Sequence, residues 1–312
     1  MIKHSINMLV LMSLAITSIN TFAQNESLYS QYIFNKLVIN PAYAGSRGII
    51  STTFLYRNQW AEINGAPETY TFSIHSPLRN DHYNLGFTVY NDRIGAFNQS
   101  GFQGIYTYAF NAGNGKLALG IQGGVQLYKT NTSEFEGAIN MGDPAALSFE
   151  GTEWVPVAGA GMYYHNRFFS AGISVPQILA NDIYDNTHTI QNRHYYFTAD
   201  YLVIIVDQFK LKPSVLFKLV ENVKAQVDAN LHLIAFNTFS VGAGYRTDQS
   251  IVFSGQVYLN KIVETEKVQL ILGYAYDLNN NEYRREAGGV HEAMLTMEFL
   301  TRTRKVVSPR YF

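Results

Sequence analysis

Between about residue 48 and residue 300, apolar and polar side chains alternate along the chain with a period of two. In the stretch 224–237, apolar residues occupy one set of alternate positions and polar residues the other: Val227, Ala229, Leu231 and Leu233 against Gln226, Asp228, Asn230 and His232. Successive side chains of a strand point to opposite faces, whereas a helix would need spacings of three and four. The pattern therefore predicts a series of strands, each with one apolar and one polar face.

The length and number of these strands favour a membrane barrel. About fourteen strands fit into the alternating region, most of them near the roughly 9–11 residues that a tilted strand needs to cross hydrocarbon. Charged residues make up only 15% of the chain and aromatic residues 14%, against about 25% charged residues in average globular proteins. We therefore predict an all-β fold, a transmembrane antiparallel outer-membrane β-barrel of about 14 strands. A soluble β-sandwich or a periplasmic barrel is the alternative.

The two ends of the chain suggest separate segments around the barrel. Residues 1–23 combine a basic start, a short apolar run and small residues before Gln24, which is typical of a signal peptide cleaved after Ala23. Residues 24–47 are expected to form a periplasmic N-terminal segment or a partial plug, although a simple strand-entry turn fits their Pro and Gly residues equally well. The barrel is assigned to 48–300, and 301–312 to a basic periplasmic C-terminal tail that is either a docking segment or disordered.

The connections between predicted strands differ in length on the two sides of the sheet. The turns on the side of the N-terminus are all short, whereas the other side carries the longest connections, 130–153 and 176–192, and a medium-length one at 93–99. Outer-membrane barrels have short periplasmic turns and longer external loops. We therefore expect the long connections to face outward.

Two sequence blocks near the start of the mature chain are more specific than the alternation. The first block spans 31–46 and is centred on Asn40, Pro41, Ala42, Tyr43, Ala44 and Gly45. The second block consists of Tyr56, Arg57, Asn58, Gln59 and Trp60. With weaker matches at 273–277, at His291-Glu292 and at 308–312, these blocks resemble the PorP/SprF family of the type IX secretion system of Bacteroidota. The resemblance runs in order along essentially the whole mature chain.

This resemblance implies a non-enzymatic outer-membrane component of the type IX secretion and gliding machinery. Such a component would support the secretion or surface attachment of large cargo proteins such as adhesins. The partners it implies are the secreted cargo, periplasmic and outer-membrane subunits of the machinery, and outer-membrane lipid. The family has no established catalytic residues. A passive outer-membrane channel or small-solute transporter is the alternative function, and an outer-membrane enzyme comes third.

Polar residues on two adjacent predicted strands form a candidate luminal site. They lie opposite apolar residues on the strands 208–220 and 224–237: Lys210, Lys212, Lys218, Asp228, Asn230 and His232. A lysine that faces lipid near the membrane midplane would cost about 2–4 kcal/mol, so these side chains are expected to line the lumen. They would either brace the barrel or form a path for cargo or ions.

Other chemistry has little support in the sequence. The chain contains no cysteine, and its net charge of −1 gives no basic footprint for nucleic acid. No metal or cofactor site is predicted; His291 and Glu292, for example, point to opposite faces of a strand. Tyrosines near predicted strand ends, among them Tyr106, Tyr163 and Tyr196, are expected to form aromatic girdles at the membrane interfaces. Binding of carbohydrate is the alternative role for them.

Overall fold

The computed structural model describes residues 29–78, 81–130, 151–179, 192–221, 223–259, 268–279 and 288–299. The expected signal peptide and the basic tail lie outside these residues. Two short 3-10 helices come first, Lys36–Val38 and Pro41–Tyr43. The strands that follow are β1 (Ile50–Gln59), β2 (Glu68–Pro77), β3 (Tyr83–Ile94), β4 (Phe97–Ala112), β5 (Gly115–Thr130), β6 (Gly151–His165), β7 (Phe169–Val175), β8 (His194–Tyr201), β9 (Val203–Val206), β10 (Phe209–Val220), β11 (Val223–Ala235), β12 (Phe239–Arg246), β13 (Ser250–Tyr258), β14 (Val268–Asn279) and β15 (Val290–Phe299).

These strands form one closed antiparallel sheet. Each strand pairs with its neighbours in chain order, and β15 returns to pair with β1 along its whole length. The strands β8 and β9 follow each other along the same edge of β10, so they are two parts of one crossing strand interrupted at Leu202. The barrel therefore has fourteen crossing strands, and the predicted fold is confirmed.

The closed sheet separates an apolar outer surface from a largely polar inner wall. Along β10, exposed and buried residues alternate, so that Phe209 and Phe217 face outward while Lys212 and Ser214 face inward. Large apolar side chains are exposed all around the outer wall, for example Leu85, Ile121 and Val241. A sheet that exposes apolar residues on its outside suits hydrocarbon rather than water. No helix in the described part of the chain is long and apolar enough to span a bilayer.

One connection is shorter than the sequence predicted. The predicted connection 93–99 contracts to the two residues Gly95 and Ala96, because β3 continues to Ile94 and β4 begins at Phe97. Gly95 has a φ of +54°, which suits a tight turn between paired strands. The connections 131–150 and 180–191 lie outside the described residues.

Residues 29–49, called the luminal segment below, lie inside the barrel. Tyr43, Leu37 and Ala42 are buried and pack against inward-facing residues of β4, β5 and β6. Tyr32, Ile33 and Ile39 form a second apolar cluster with Tyr196 of β8 and Leu216 of β10. The core of the protein is thus the contact between this segment and the inner wall, not a contact between two layers of secondary structure.

The inner wall is accordingly less polar than a water-filled lumen would require. Tyr163 is completely buried and packs edge-on against Tyr43, with ring centroids 5.4 Å apart. Tyr196 also faces inward. The girdle interpretation is therefore wrong for these two tyrosines, although Tyr106 lies on the outer surface near Tyr83.

Candidate functional site: the luminal segment and its anchors

The first described residues of the luminal segment are held where β14 ends and β15 begins. The Glu292 carboxylate accepts the backbone N–H of Ser30 at 2.9 Å and that of Gln31 at 2.7 Å. The Ser30 hydroxyl donates to the Asp277 carboxylate at 2.6 Å. One buried carboxylate thus satisfies two consecutive backbone donors, and charge-assisted hydrogen bonds of this kind are stronger than neutral ones.

Two arginines connect the carboxylates around this anchor. Arg57 of β1 donates to Glu292 at 3.0 Å and to Asp277 at 3.3 Å. Arg246 of β12 donates to the same Asp277 oxygen at 3.3 Å and to Asp228 of β11 at 2.9 Å. Opposite charges therefore alternate through the network, which is what buried charges need to offset the loss of hydration.

A second anchor lies further along the segment, at the first 3-10 helix. The Lys36 ammonium group forms an ion pair with the Asp200 carboxylate and donates to the Ser170 hydroxyl at 3.1 Å. Ser170 in turn donates to Asp200 at 2.7 Å. The ion pair offsets the loss of hydration that burial inside the barrel costs both charged groups.

The second 3-10 helix lies so close to the barrel wall that side chains on the facing wall residues would collide with it. Asn40 caps this helix by accepting the backbone N–H of Ala42 at 2.9 Å, the usual role of an asparagine before a helical turn. A Cβ placed on Gly120 of β5 would lie 2.3 Å from the Ala42 nitrogen, and one on Gly161 of β6 would lie 2.2 Å from the Asn40 side-chain oxygen. Wall glycines thus make room for the first sequence block.

The last part of the segment leads into β1 at the opposite end of the barrel. Gly45 donates its backbone N–H to Nδ1 of His75 at 3.1 Å and has a φ of +78°, a conformation that favours glycine. Arg47 lies 3.6 Å from Glu298 near the end of β15. The segment is therefore attached to the inner wall along its whole described length.

The three predicted luminal lysines are buried on β10. Lys212 donates to the backbone carbonyl of Ile33 at 3.4 Å. Lys210 donates to the Asn237 side chain, and Lys218 lies 6.0 Å from the centre of the Tyr196 ring. Lys212 thus contacts the luminal segment directly.

The three predicted luminal residues of β11 are also buried, and each makes a different contact. Asp228 belongs to the arginine network, as described above. Asn230 donates to the Tyr32 hydroxyl at 2.9 Å. His232 lies 2.8 Å from the Ser254 hydroxyl, and its ring meets that of Phe34 edge-on. Passage of cargo or ions along these side chains stays a prediction.

The second sequence block has one member at the anchor. Arg57 faces inward and binds Glu292, whereas Tyr56 stacks on Tyr70 at the outer wall. The other members lead out of the barrel: Asn58 and Gln59 end β1, and Trp60 begins the next connection with a φ of +59°. In this block, Arg57 thus belongs to the charge network of the anchor. The residues after it form the end of β1 and the start of the next connection.

Sequence reasoning did not single out several residues of the anchors. They are Ser30, Lys36, Asp200, Arg246 and Asp277. Their contacts join residues up to 262 positions apart, so no local pattern could pair them. The available signal was that each charge occupies an inward-facing position of an alternating strand, or lies in the first block. Among the described residues, no group of histidine, aspartate and glutamate side chains has the arrangement of a metal site.

Several solved barrels resemble this structure at low sequence identity. They include a monoaromatic hydrocarbon channel, CymD, with 11% identity over 90% of this chain and 94% of that one and a TM-score of 0.47. A Pseudomonas aeruginosa FadL homologue has 11% identity over 90% and 95% of the two chains and a TM-score of 0.46. The Acinetobacter baumannii outer membrane protein Omp33 has 8% identity over 81% and 98% and a TM-score of 0.42. At these values the likeness says nothing about what the present chain binds or transports.

The comparison of the sequence with protein families is more informative. No curated protein matches the chain. The model of a family described as "Type IX secretion system membrane protein PorP/SprF" matches residues 21–297. That range includes both sequence blocks, the luminal segment and every strand up to the last residues of β15. The chain therefore belongs to the PorP/SprF family of type IX secretion system membrane proteins, as the sequence blocks predicted.

Proposed function

We propose that this barrel is a non-enzymatic component of the type IX secretion machinery in the outer membrane. It would support the secretion or surface attachment of a large exported protein and contact other subunits from its periplasmic side. Family membership supports the general role. The finer role is inferred from how the luminal segment occupies the barrel.

The proposal rests on the contacts of the luminal segment, which reach strands on several sides of the barrel wall. It is bonded to β15 through Glu292, to β2 through Ser73 and to β4 through Thr107. On the other side it is bonded to β8 through Asp200 and to β11 through Asn230. A solute or an unfolded chain that passed through the lumen would have to break these contacts, among them the buried Lys36–Asp200 ion pair. We therefore infer that the barrel is a closed scaffold whose partners bind its two mouths.

The same proposal covers the ends of the chain. Residues 1–23 would be removed after Ala23, so that the mature protein would begin at Gln24, a few residues before the first anchor at Ser30. The amino-terminal sequence of the protein isolated from outer membranes tests this directly. A mature chain that retained residues 1–23 would contradict it.

Planar-bilayer recording separates the closed scaffold from the alternative of a passive channel. The purified protein should show almost no conductance, whereas a channel would show stable open steps. Gentle isolation of the tagged protein from native membranes should recover a large exported protein together with periplasmic subunits. Stable open steps combined with the recovery of no such partner would overturn the proposal.

A further inference from the structure

We propose that the luminal segment is threaded from the outer mouth of the barrel to the inner mouth, so that the processed N-terminus is presented at the cell surface. The segment joins β1 at the mouth with the short turns. Its first described residues are bonded at the other mouth. This inference depends on the placement of the barrel in the outer membrane and does not depend on which cargo the machinery exports.

The closing strand β15 shows the direction of the segment. Glu292 is the third residue of β15 and binds Ser30, whereas Glu298 is the ninth and lies beside Arg47. The two glutamates are six residues apart, or about 20 Å at roughly 3.4 Å per residue of strand. The two ends of the segment therefore lie at different levels of the same strand.

The strand β2 gives the same order independently. Its contacts with the segment advance from the middle of the strand towards Pro77 as the segment advances along the chain: Tyr29 with Thr71, Asn35 with Ser73, and Gly45 with His75. Since β2 runs from the long-connection mouth to the short-turn mouth, the segment runs the same way. The strands β2 and β15, which lie on either side of β1 and run in the same direction, thus agree on one direction of threading.

The first anchor lies at the mouth with the long connections. Glu292 follows the connection 280–289, and Arg57 comes three residues before the connection 60–67 begins. Asp277 is the third residue from the end of β14. The described chain therefore begins near this mouth, which faces outward if barrel orientation follows the usual rule of long external loops.

This arrangement assigns a role to the anchor. Glu292 binds the backbone N–H groups of Ser30 and Gln31, and Asp277 binds the Ser30 hydroxyl, so the anchor fixes the start of the luminal segment. Position 27 is only three residues from Ser30, so a probe placed there reports the mouth at which the described chain begins.

Cysteine labelling tests the threading directly, because the chain contains no cysteine of its own. The test variant is Ser27→Cys. The controls are Asn64→Cys in the 60–67 connection and Asn114→Cys in the turn between β4 and β5, both exposed and at opposite mouths. Each variant is treated with a membrane-impermeant maleimide, once on intact cells and once after the cells are broken.

We expect Ser27→Cys to be labelled on intact cells to the same extent as Asn64→Cys, while Asn114→Cys is labelled only in broken cells. Labelling of Ser27→Cys only in broken cells would overturn the proposal, and so would its failure to react in either state. This readout is independent of conductance and of the recovered partners. The threading and the proposed function can therefore fail separately.

Discussion

Gln31 and Glu292 lie 261 residues apart in the sequence, and the backbone N–H of Gln31 donates to the Glu292 carboxylate at 2.7 Å. This contact ties the start of the luminal segment to the strand that closes the barrel. The same carboxylate binds Arg57 on β1, so one side chain joins the luminal segment to both strands of the closure. Closure of the barrel and placement of the segment are therefore energetically coupled.

Glu292→Gln should destabilise the protein, because the amide cannot offset the Arg57 charge and its NH2 group places a donor opposite one of the two backbone N–H groups. Removal of one partner of a buried ion pair typically costs about 3–5 kcal/mol. Thermal unfolding in detergent, followed by circular dichroism, measures the effect. Glu153→Gln on β6 is the control, since Glu153 is exposed. Equal unfolding temperatures for the two variants would contradict the assigned anchor.

Lys36 and Asp200 should show strong coupling in a double-mutant cycle. Lys36→Met and Asp200→Asn each leave a buried group without its partner, at a cost of about 3–5 kcal/mol, whereas the double variant should lose clearly less than the sum. Unfolding free energies of the four proteins give the coupling. Additive losses would show that the pair contributes no interaction energy.

Gly120→Ala should displace the luminal segment, because the added Cβ would lie 2.3 Å from the Ala42 backbone nitrogen. We expect bilayer conductance to rise several-fold, since a displaced segment opens part of the lumen. Gly123→Ala on the same strand is the matched control, because the nearest atom to its added Cβ is 3.9 Å away. If neither variant raised the conductance, the close contact at Gly120 would not be what keeps the lumen closed.

Tyr43→Ala should lower the free energy of unfolding by about 3 kcal/mol, because its buried ring packs against both His75 and Tyr163. Tyr70→Ala removes a ring of the same size from the outer wall, where half of the side chain is exposed. Denaturant unfolding in detergent should therefore show a much larger loss for the luminal tyrosine. The opposite ranking would mean that the segment contributes little to stability.

The barrel itself could be predicted from the sequence because its cause is local. Each strand must turn alternate side chains to lipid and to the interior, and this requirement leaves a period of two in the sequence. The fourteen crossing strands were predicted in this way. The break at Leu202 was missed, since an interruption of pairing leaves the alternation almost unchanged.

The sequence by itself also determined family membership, through two short blocks of residues that keep their order along the chain. What only the tertiary structure decided is the inward course of residues 29–49 and the partners of their charges. Asp277 and Ser30 come together because the sheet closes, and closure joins strands that are far apart in the chain. The direction in which Tyr163 points was likewise decided by the segment that packs against it, because an aromatic ring fits either face of a strand until something fills the lumen.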